Sequence, residues 1–247
     1  MANAAGARDL EGVRVLVTAG PTQEAIDPVR YITNHSTGRM GYAIAARAAA
    51  RGASVVLVSG PTALDAPAGV ELVGIVSAQD LFDAVTARYA GVDAVIAAAA
   101  VADYRPAAVA ADKVKKVDGA MSIELERTPD TLAWLGAHRR EGVRLCGFSM
   151  ETRDVLENSR AKLARKNVDM ICANSLREAG AGFGSATNHL TLIVRGGEVD
   201  LPLLSKEDAA DALLTELFSI DPLPASAPDA ASAAGESALF APDPEGK

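Results

Sequence analysis

A chain of 247 residues, 49% hydrophobic and 23% charged, has room for one large domain or two small ones and the make-up of a folded globular protein, which excludes wholesale disorder and a fibrous repeat. The net charge of -8 argues against a protein whose main work is coating nucleic acid, because that work needs a basic face. The longest uncharged apolar run, Ala94 to Ala102, is half of what a bilayer-spanning helix needs, and residues 1–12 carry no apolar signal core, so the expectation is a cytoplasmic protein without a membrane role. Cys146 and Cys172 each fall inside an apolar run and read as packed core thiols, with no disulfide framework or zinc site.

The charge is unevenly placed. Residues 220–247 hold five acids (Asp221, Asp229, Glu236, Asp243, Glu245) against one lysine, half of the net charge. They are rich in Ala, Pro and Ser and too poor in large apolar groups to offset the entropy of ordering, so they read as a flexible acidic tail. Residues 1–12 read as an extension or linker, and 13–219 as the folded domain.

In chain order, Val13 to Thr18 is a β-branched run ending at Gly20-Pro21, as a strand does where it meets a loop. A long loop, Gly20 to Gly38, leads to an Ala-rich helix, Arg39 to Arg51, closed by Gly52. Ser54 to Ser59 is the next strand and completes a βαβ unit. Glu71 to Val76 is another strand. Ser77 and Asp80 form an Asp variant of the capping box and open a helix to about Tyr89. Asp93 to Ala100 reads as a buried central strand, Ser122 to Glu126 as a short edge strand, and Thr131 to His138 as a helix. Val143 to Phe148, a helix from about Asp154 to Lys166, and Val168 to Ala173 continue the alternation. His189 to Val194 and Glu198 to Leu203 form a hairpin through Gly196-Gly197, and Lys206 to Phe218 a closing helix. Alternating strands and helices predict an α/β fold, a doubly wound, mainly parallel, modified Rossmann-like sheet with a β-rich excursion.

In such sheets ligands lie beyond the carboxyl ends of the strands. Asn34 to Gly41 offers a hydroxyl, two glycines and backbone N–H groups at a helix start, a combination suited to a phosphate; Gly41 is equally explained by close helix-to-sheet packing. A dinucleotide reductase is disfavoured: Gly20 and Gly38 are eighteen residues apart, the second strand ends in Ser59-Gly60 with no ribose-binding acid, and none of the four tyrosines has a lysine four residues later. Ala98 to Ala100 leaves room for a ligand against the backbone, with Asp103 just beyond. Lys113, Lys115 and Lys116 read either as a solvated loop or as a flap meeting a polyphosphate. His35, His138 and His189 are scattered and suggest no metal cluster.

Taken together, Thr18 to Thr22, Asp27 to Gly41, Ala99 to Arg105, Lys113 to Lys116, Gly147-Phe148 with Glu151-Thr152, and Ile171 to Asn174 closely resemble phosphopantothenate–cysteine ligase, in order and with matching spacing over roughly residues 13–205. The resemblance implies activation of the 4′-phosphopantothenate carboxylate by CTP to an acyl-cytidylate and pyrophosphate, then displacement of CMP by the amine of L-cysteine, in coenzyme A biosynthesis. By matching positions it implies that Gly20, Ser36, Gly38, Gly41, Phe148 and Asn174 surround the nucleotide, with Asp103 shared between nucleotide and substrate. Asn34, Ala99 and Ala100 line the phosphopantothenate side, with Asn34 the principal catalytic group. Arg30 reaches the neighbouring site of a homodimer, the hairpin excursion serves dimerisation, and Lys113 heads a lysine flap with Lys115 and Lys116. Mg²⁺ accompanies CTP without a dedicated protein site, and no flavin is held by this chain.

The resemblance also implies a flavin-dependent phosphopantothenoylcysteine decarboxylase as a partner, which in many bacteria forms the N-terminal half of a bifunctional chain and which residues 1–12 are too few to encode. The ligase is then either kept separate or cut from a longer chain. Two departures from the family pattern, Gln23-Glu24-Ala25 and Ser149-Met150, remove no matched ligand residue, and a third lies at Gly182 to Ser185. A non-catalytic nucleotide-binding subunit and, with less support, an NAD(P)-dependent reductase remain the competing readings, and CTP against ATP stays open on the residues alone.

Overall fold

The computed structural model describes residues 8–116, 118–151, 154–175 and 185–226. The strands are β1 (Arg14–Ala19), β2 (Gln23–Ala25), β3 (Tyr31–Thr33), β4 (Ser54–Ser59), β5 (Val70–Gly74), β6 (Ala94–Ala97), β7 (Tyr104–Pro106), β8 (Leu125–Arg127), β9 (Arg144–Glu151), β10 (Met170–Ser175), β11 (Thr187–Asn188), β12 (Leu190–Val194), β13 (Gly197–Asp200) and β14 (Leu204–Ser205). The helices are α1 (Arg39–Ala50), α2 (Ala78–Tyr89), α3 (Thr131–Ala137), α4 (Val155–Lys166) and α5 (Lys206–Ser219).

Eight strands form one sheet in the order β13-β12-β10-β9-β6-β1-β4-β5. The six from β10 to β5 are parallel, and β12 and β13 add an antiparallel edge. Successive residues along the inner strands face opposite layers, and both faces are covered. Val15, Val17, Ile96, Met170 and Cys172 pack toward α1 and α5. Leu16, Val95, Leu145, Ile171 and Ala173 pack toward α2, α3 and α4. The result is the expected doubly wound sheet. Cys146 and Cys172 are buried free thiols with their Sγ atoms 3.6 Å apart, and burial, followed by the neighbouring thiol, pushes Cys172 well above the ordinary cysteine range.

Local chemistry explains the helix starts. Ser77 accepts from Asp80 N while the Asp80 carboxylate accepts from Ser77 N at 2.8 Å, so both halves of the capping box form. Asp130 caps α3 through Ala133 N at 2.9 Å, and Ser205 caps α5 through Asp208 N at 3.0 Å. The start of α1 is different: its cap is Gly38 at φ 79, with no side-chain cap bond and no acid in the first turn.

Several expectations change. The central strand ends at Ala97, because the backbone of Ala99 to Ala102 bonds to threonine hydroxyls and to the Gly20 loop. The edge strand starts at Leu125 and pairs with β7, whose three residues gave no periodic signal. The Gly20 to Gly38 loop contains the β2–β3 ladder.

Residues 8–12 belong to the packed body: Leu10 is buried, its N–H donates to Arg51 O at 3.0 Å, and Asp9 pairs with Arg51. The first residues expected in the tail are also held, since Leu223 N donates to Asp169 Oδ1 at 2.8 Å and Arg139 Nε to Leu223 O at 3.2 Å. Arg139 and Asp169 form a buried ion pair beneath them. Thr152, Gly182 to Gly184, residues 1–7 and residues 227–247, on which parts of the sequence reading fell, lie outside the described residues. No helix among the described residues is long and apolar enough to cross a membrane.

Candidate active site

The chain runs from β1 outward through β4 and β5, then returns to the other side of β1 as β6. Loops leaving β1 and β6 therefore diverge, and the crevice they open is where a doubly wound sheet holds its ligand. The floor of this crevice is stitched across the two loops. Ala100 N donates to Gly20 O at 2.9 Å, Thr22 N to Ala100 O at 3.2 Å, Ala99 N to Thr18 Oγ1 at 3.1 Å, and Ala102 N to Thr22 Oγ1 at 3.0 Å. Asn34 joins from the far end of the β2–β3 loop, its Nδ2 donating to Ala100 O at 2.9 Å.

Two adjoining chambers sit on this floor. The smaller, about 380 Å³, has the start of α1 as one wall, and Ser36, Gly38 and Gly41 lie along it. Ala99, Ala100 and Asp103 line the chamber as well, with Phe148, Asn174 and Asn34. Nine of the expected residues thus meet in one cavity. Gly20 does not reach it but lies directly behind: a Cβ on Gly38 would come within 3.4 Å of Gly20 Cα. Gly41 lets α1 press onto β1, since a Cβ there would fall 2.6 Å from Ala19 Cβ and 2.9 Å from Thr18 O. Ser36 Oγ turns back to accept Gly38 N at 3.3 Å. A helix start without an acid or a side-chain cap, beside Arg39, favours an anion.

The larger chamber, about 930 Å³, shares Ala99, Val101, Asp103, Phe148 and Lys162 with the first and extends toward the start of α3. Arg127, Arg165 and Lys166 add positive charge to its walls, and Thr128 to Leu132 forms its far side. Lys162 Nζ donates to Phe148 O at 2.7 Å, which places this cation at the border between the chambers. Burial alone would raise the Asp130 carboxyl, but the Lys166 ammonium and the Ala133 N–H outweigh it and hold the group below its ordinary value.

The sequence reading missed Lys162, Arg165, Lys166 and Lys206. Lys162, Arg165 and Lys166 lie on the polar face of α4, where basic residues read as a solvated surface. Lys206 opens α5, is 6% exposed, and reaches the smaller chamber, where its Nζ donates to Thr187 O at 3.4 Å. Burial first, and the Arg39 charge second, press its ammonium below the ordinary lysine value. Asn174 donates to Asn188 Oδ1 at 3.2 Å, and its own Oδ1 is buried without a protein partner, an acceptor offered to a ligand N–H or O–H.

Arg30, Lys113, Lys115 and Lys116 line neither chamber. Arg30 pairs within its own chain with Asp27 and with Val114 O, and the three lysines ride on the exposed segment so tied. Among the described residues no group of three or more His, Cys, Asp or Glu side chains could hold a metal ion.

The chain is similar in sequence and fold to known proteins. Residues 10–220 match the family described as DNA/pantothenate metabolism flavoprotein C-terminal domain. The chain is 48% identical over 213 residues to the coenzyme A biosynthesis bifunctional protein CoaBC of Bacillus subtilis (strain 168), covering 85% of this chain and 52% of that one. It is 44% identical over 214 residues to the protein of that name from Escherichia coli (strain K12), covering 85% and 53%. It thus spans about half the length of the curated relatives it matches. The crystal structure of a CoaBC C-terminal domain superposes with a TM-score of 0.72 at 45% identity, covering 85% of this chain and 95% of that one.

Proposed function

The chain belongs to the DNA/pantothenate metabolism flavoprotein C-terminal domain family, and from that membership and the two-chambered crevice we propose that it joins 4′-phosphopantothenate to L-cysteine using CTP, in coenzyme A biosynthesis. The observation that carries this reading is the meeting of two anion-suited chambers at one border, formed by Ala99, Val101, Asp103, Phe148 and Lys162. A ligase that activates a phosphorylated acid with a triphosphate needs that layout: two anionic substrates whose reacting atoms face each other while their phosphates stay apart.

The triphosphate suits the larger chamber, where Arg127, Lys162, Arg165 and Lys166 supply charge. The single phosphate of the acid suits the start of α1, with Arg39 and Lys206. On this assignment Ser36, Gly38 and Gly41, expected around the nucleotide, serve the phosphate of the acid instead, while Phe148 packs against the nucleoside from the border. Asn174, also expected at the nucleotide, lines the smaller chamber alone and offers its free oxygen to the acid as an acceptor.

A carboxylate oxygen of the acid attacks the α-phosphorus of CTP; the new O–P bond replaces the bond to pyrophosphate, which leaves. The neutral amine of cysteine then attacks the acyl carbon and gives up one proton to solvent, the C–O bond to the cytidylate breaks, and CMP departs with the electron pair. Negative charge builds on the phosphoryl oxygens in the first step and on the acyl oxygen in the second. Lys162 at the border meets the first, and the Asn34 amide, fixed by Ala100, meets the second. Asp103, the exposed carboxylate that both chambers share, is the residue that would help hold a Mg²⁺ ion accompanying the nucleotide, and such an ion would offset phosphate charge; a metal that keeps its waters needs few protein ligands. A homodimer in which the hairpin excursion forms the interface and Arg30 serves the neighbouring site, and supply of its product to a flavin-dependent decarboxylase, complete the reading. Free buried thiols suit a reducing, cytoplasmic setting.

Incubation of the purified protein with Mg²⁺, CTP, 4′-phosphopantothenate and cysteine, followed by mass analysis, tests the proposal. Appearance of 4′-phosphopantothenoylcysteine with CMP is expected. Recovery of unreacted acid, or equal turnover with ATP in place of CTP, counts against the activity or the nucleotide respectively.

A further inference from the structure

Asp27 lies outside both chambers, yet its side chain is wholly shielded, at 0% exposure, in a turn otherwise open to solvent. Its Oδ1 accepts Val29 N and Arg30 N, each at 2.9 Å, which closes the turn before β3. Its Oδ2 accepts Arg30 Nε at 3.0 Å and, from far along the chain, Val114 N at 3.1 Å. Arg30 Nη2 completes the ring by donating to Val114 O at 3.1 Å. A carboxylate and a guanidinium therefore grip both backbone groups of the residue next to Lys113. Ala110 N adds a second tie to the same turn through Ile26 O at 3.1 Å.

The grip is specific to charge and shape. The Arg30 guanidinium holds the Asp27 carboxyl well below the ordinary range, and the Val29, Val114 and Arg30 N–H groups reinforce it. An amide at position 27 would present two donors and one acceptor oxygen to a pocket lined with donors. Apart from these bonds and Pro106, residues 104–116 have little buried anchorage.

We infer that Asp27 is a positioning residue for Lys113: through Arg30 and Val114 it fixes the segment that delivers this ammonium group to a nucleotide phosphate. The task of Lys113, which lines neither chamber, is the one the lysine flap of the family resemblance implies and rests with it on the function proposed above; the grip itself does not. Arg30 and Lys113 then act as one clamped unit, and release of either loosens the other.

Two measurements on the full chain separate these layers. The first is the rate of tryptic cutting after Lys113, Lys115 and Lys116 in Asp27→Asn, compared with Val15→Ala, which perturbs the core of β1 instead. At matched global stability Asp27→Asn is expected to be cut about tenfold faster, as loss of a charge-assisted tie implies. Equal cutting overturns the grip whatever Lys113 does. The second is kcat/KM for CTP in Asp27→Asn, Lys113→Ala and the double variant. If Asp27 acts through Lys113, the double variant is no slower than Lys113→Ala. Multiplying losses overturn the positioning role, whereas a fully active Lys113→Ala with fast tryptic cutting in Asp27→Asn would discard only the proposed task of Lys113. Should Asp27→Asn fail to fold, Val114→Pro, which removes the N–H that Asp27 accepts, is expected to show the same cutting and the same coupling.

Discussion

Asn34 and Ala100 are 66 positions apart in the chain and share one hydrogen bond across the crevice, from Nδ2 to the carbonyl at 2.9 Å. That bond spends one amide hydrogen on orientation and leaves the remaining hydrogen and Oδ1 for a ligand. Asn34→Ala should therefore keep the fold, since a single neutral hydrogen bond at a half-buried position is worth about 1 kcal/mol. It should lower kcat by about 100- to 1,000-fold, as removal of a charge-stabilising donor does elsewhere. Steady-state turnover together with circular dichroism checks both halves.

Gly41 has a packing duty that its place in the smaller chamber conceals. A methyl group there meets Ala19 Cβ at 2.6 Å and Thr18 O at 2.9 Å, backbone and short side chain that cannot swing away. Gly41→Ala should push α1 off β1 and destabilise the protein by about 1–3 kcal/mol, the usual range for overpacking. Urea denaturation would register this as a lower midpoint.

Lys206 makes the smaller chamber sensitive to alkali. Burial and the Arg39 charge lower its ammonium below the ordinary value. A base lowered on folding destabilises the protein while it is charged; this penalty is complete below the lowered value and fades as pH rises through it toward the ordinary value of about 10.4. A bound phosphate works the other way, because it favours the charged form. KM for 4′-phosphopantothenate should rise as pH climbs through that alkaline window, and Lys206→Arg, which stays charged, should flatten the rise.

At the chamber border, Lys162→Ala removes a cation held by Phe148 O. The loss of one charge-assisted contact, about 1.5–3 kcal/mol, predicts a rise of roughly 10- to 100-fold in KM for CTP, with KM for cysteine little changed. Initial-rate kinetics with each substrate varied in turn would show the split.

The strap after α5 contributes to stability. Its Leu223 N–H reaches the buried Arg139–Asp169 pair, and Ser226 Oγ donates to Gly136 O at 2.7 Å. Truncation after Ser219 should cost about 1–3 kcal/mol by leaving the Asp169 carboxylate short of a donor. Differential scanning calorimetry of the truncated and full chains would measure it.

The inner strands and helix starts were legible because they rest on local rules: the β-branched runs of β1 and β4 and the Ser77–Asp80 capping box are each written in consecutive residues. The resemblance carried Asn34, Ser36, Ala99 and Asp103 to one cavity. What stayed hidden depends on partners distant in sequence. β7 is three residues long and exists only by pairing with β8, the edge strand expected at Ser122 to Glu126. Leu10 looked like part of a linker because its neighbours are polar, and only the end of α1 gives it a place to bury. Lys162 and Lys206 sit on helices whose polar faces look solvated until the crevice is folded around them.

The account turns on a two-step reaction in which the nucleotide activates the acid before cysteine arrives. Its most direct test is a rapid-quench experiment with Mg²⁺, CTP and 4′-phosphopantothenate in which cysteine is withheld and then added. Pyrophosphate should appear in a burst of about one equivalent per site, as an accumulating covalent intermediate demands, with CMP released only on cysteine addition. Pyrophosphate that waits for cysteine, or release of CDP and inorganic phosphate in place of pyrophosphate, would contradict it.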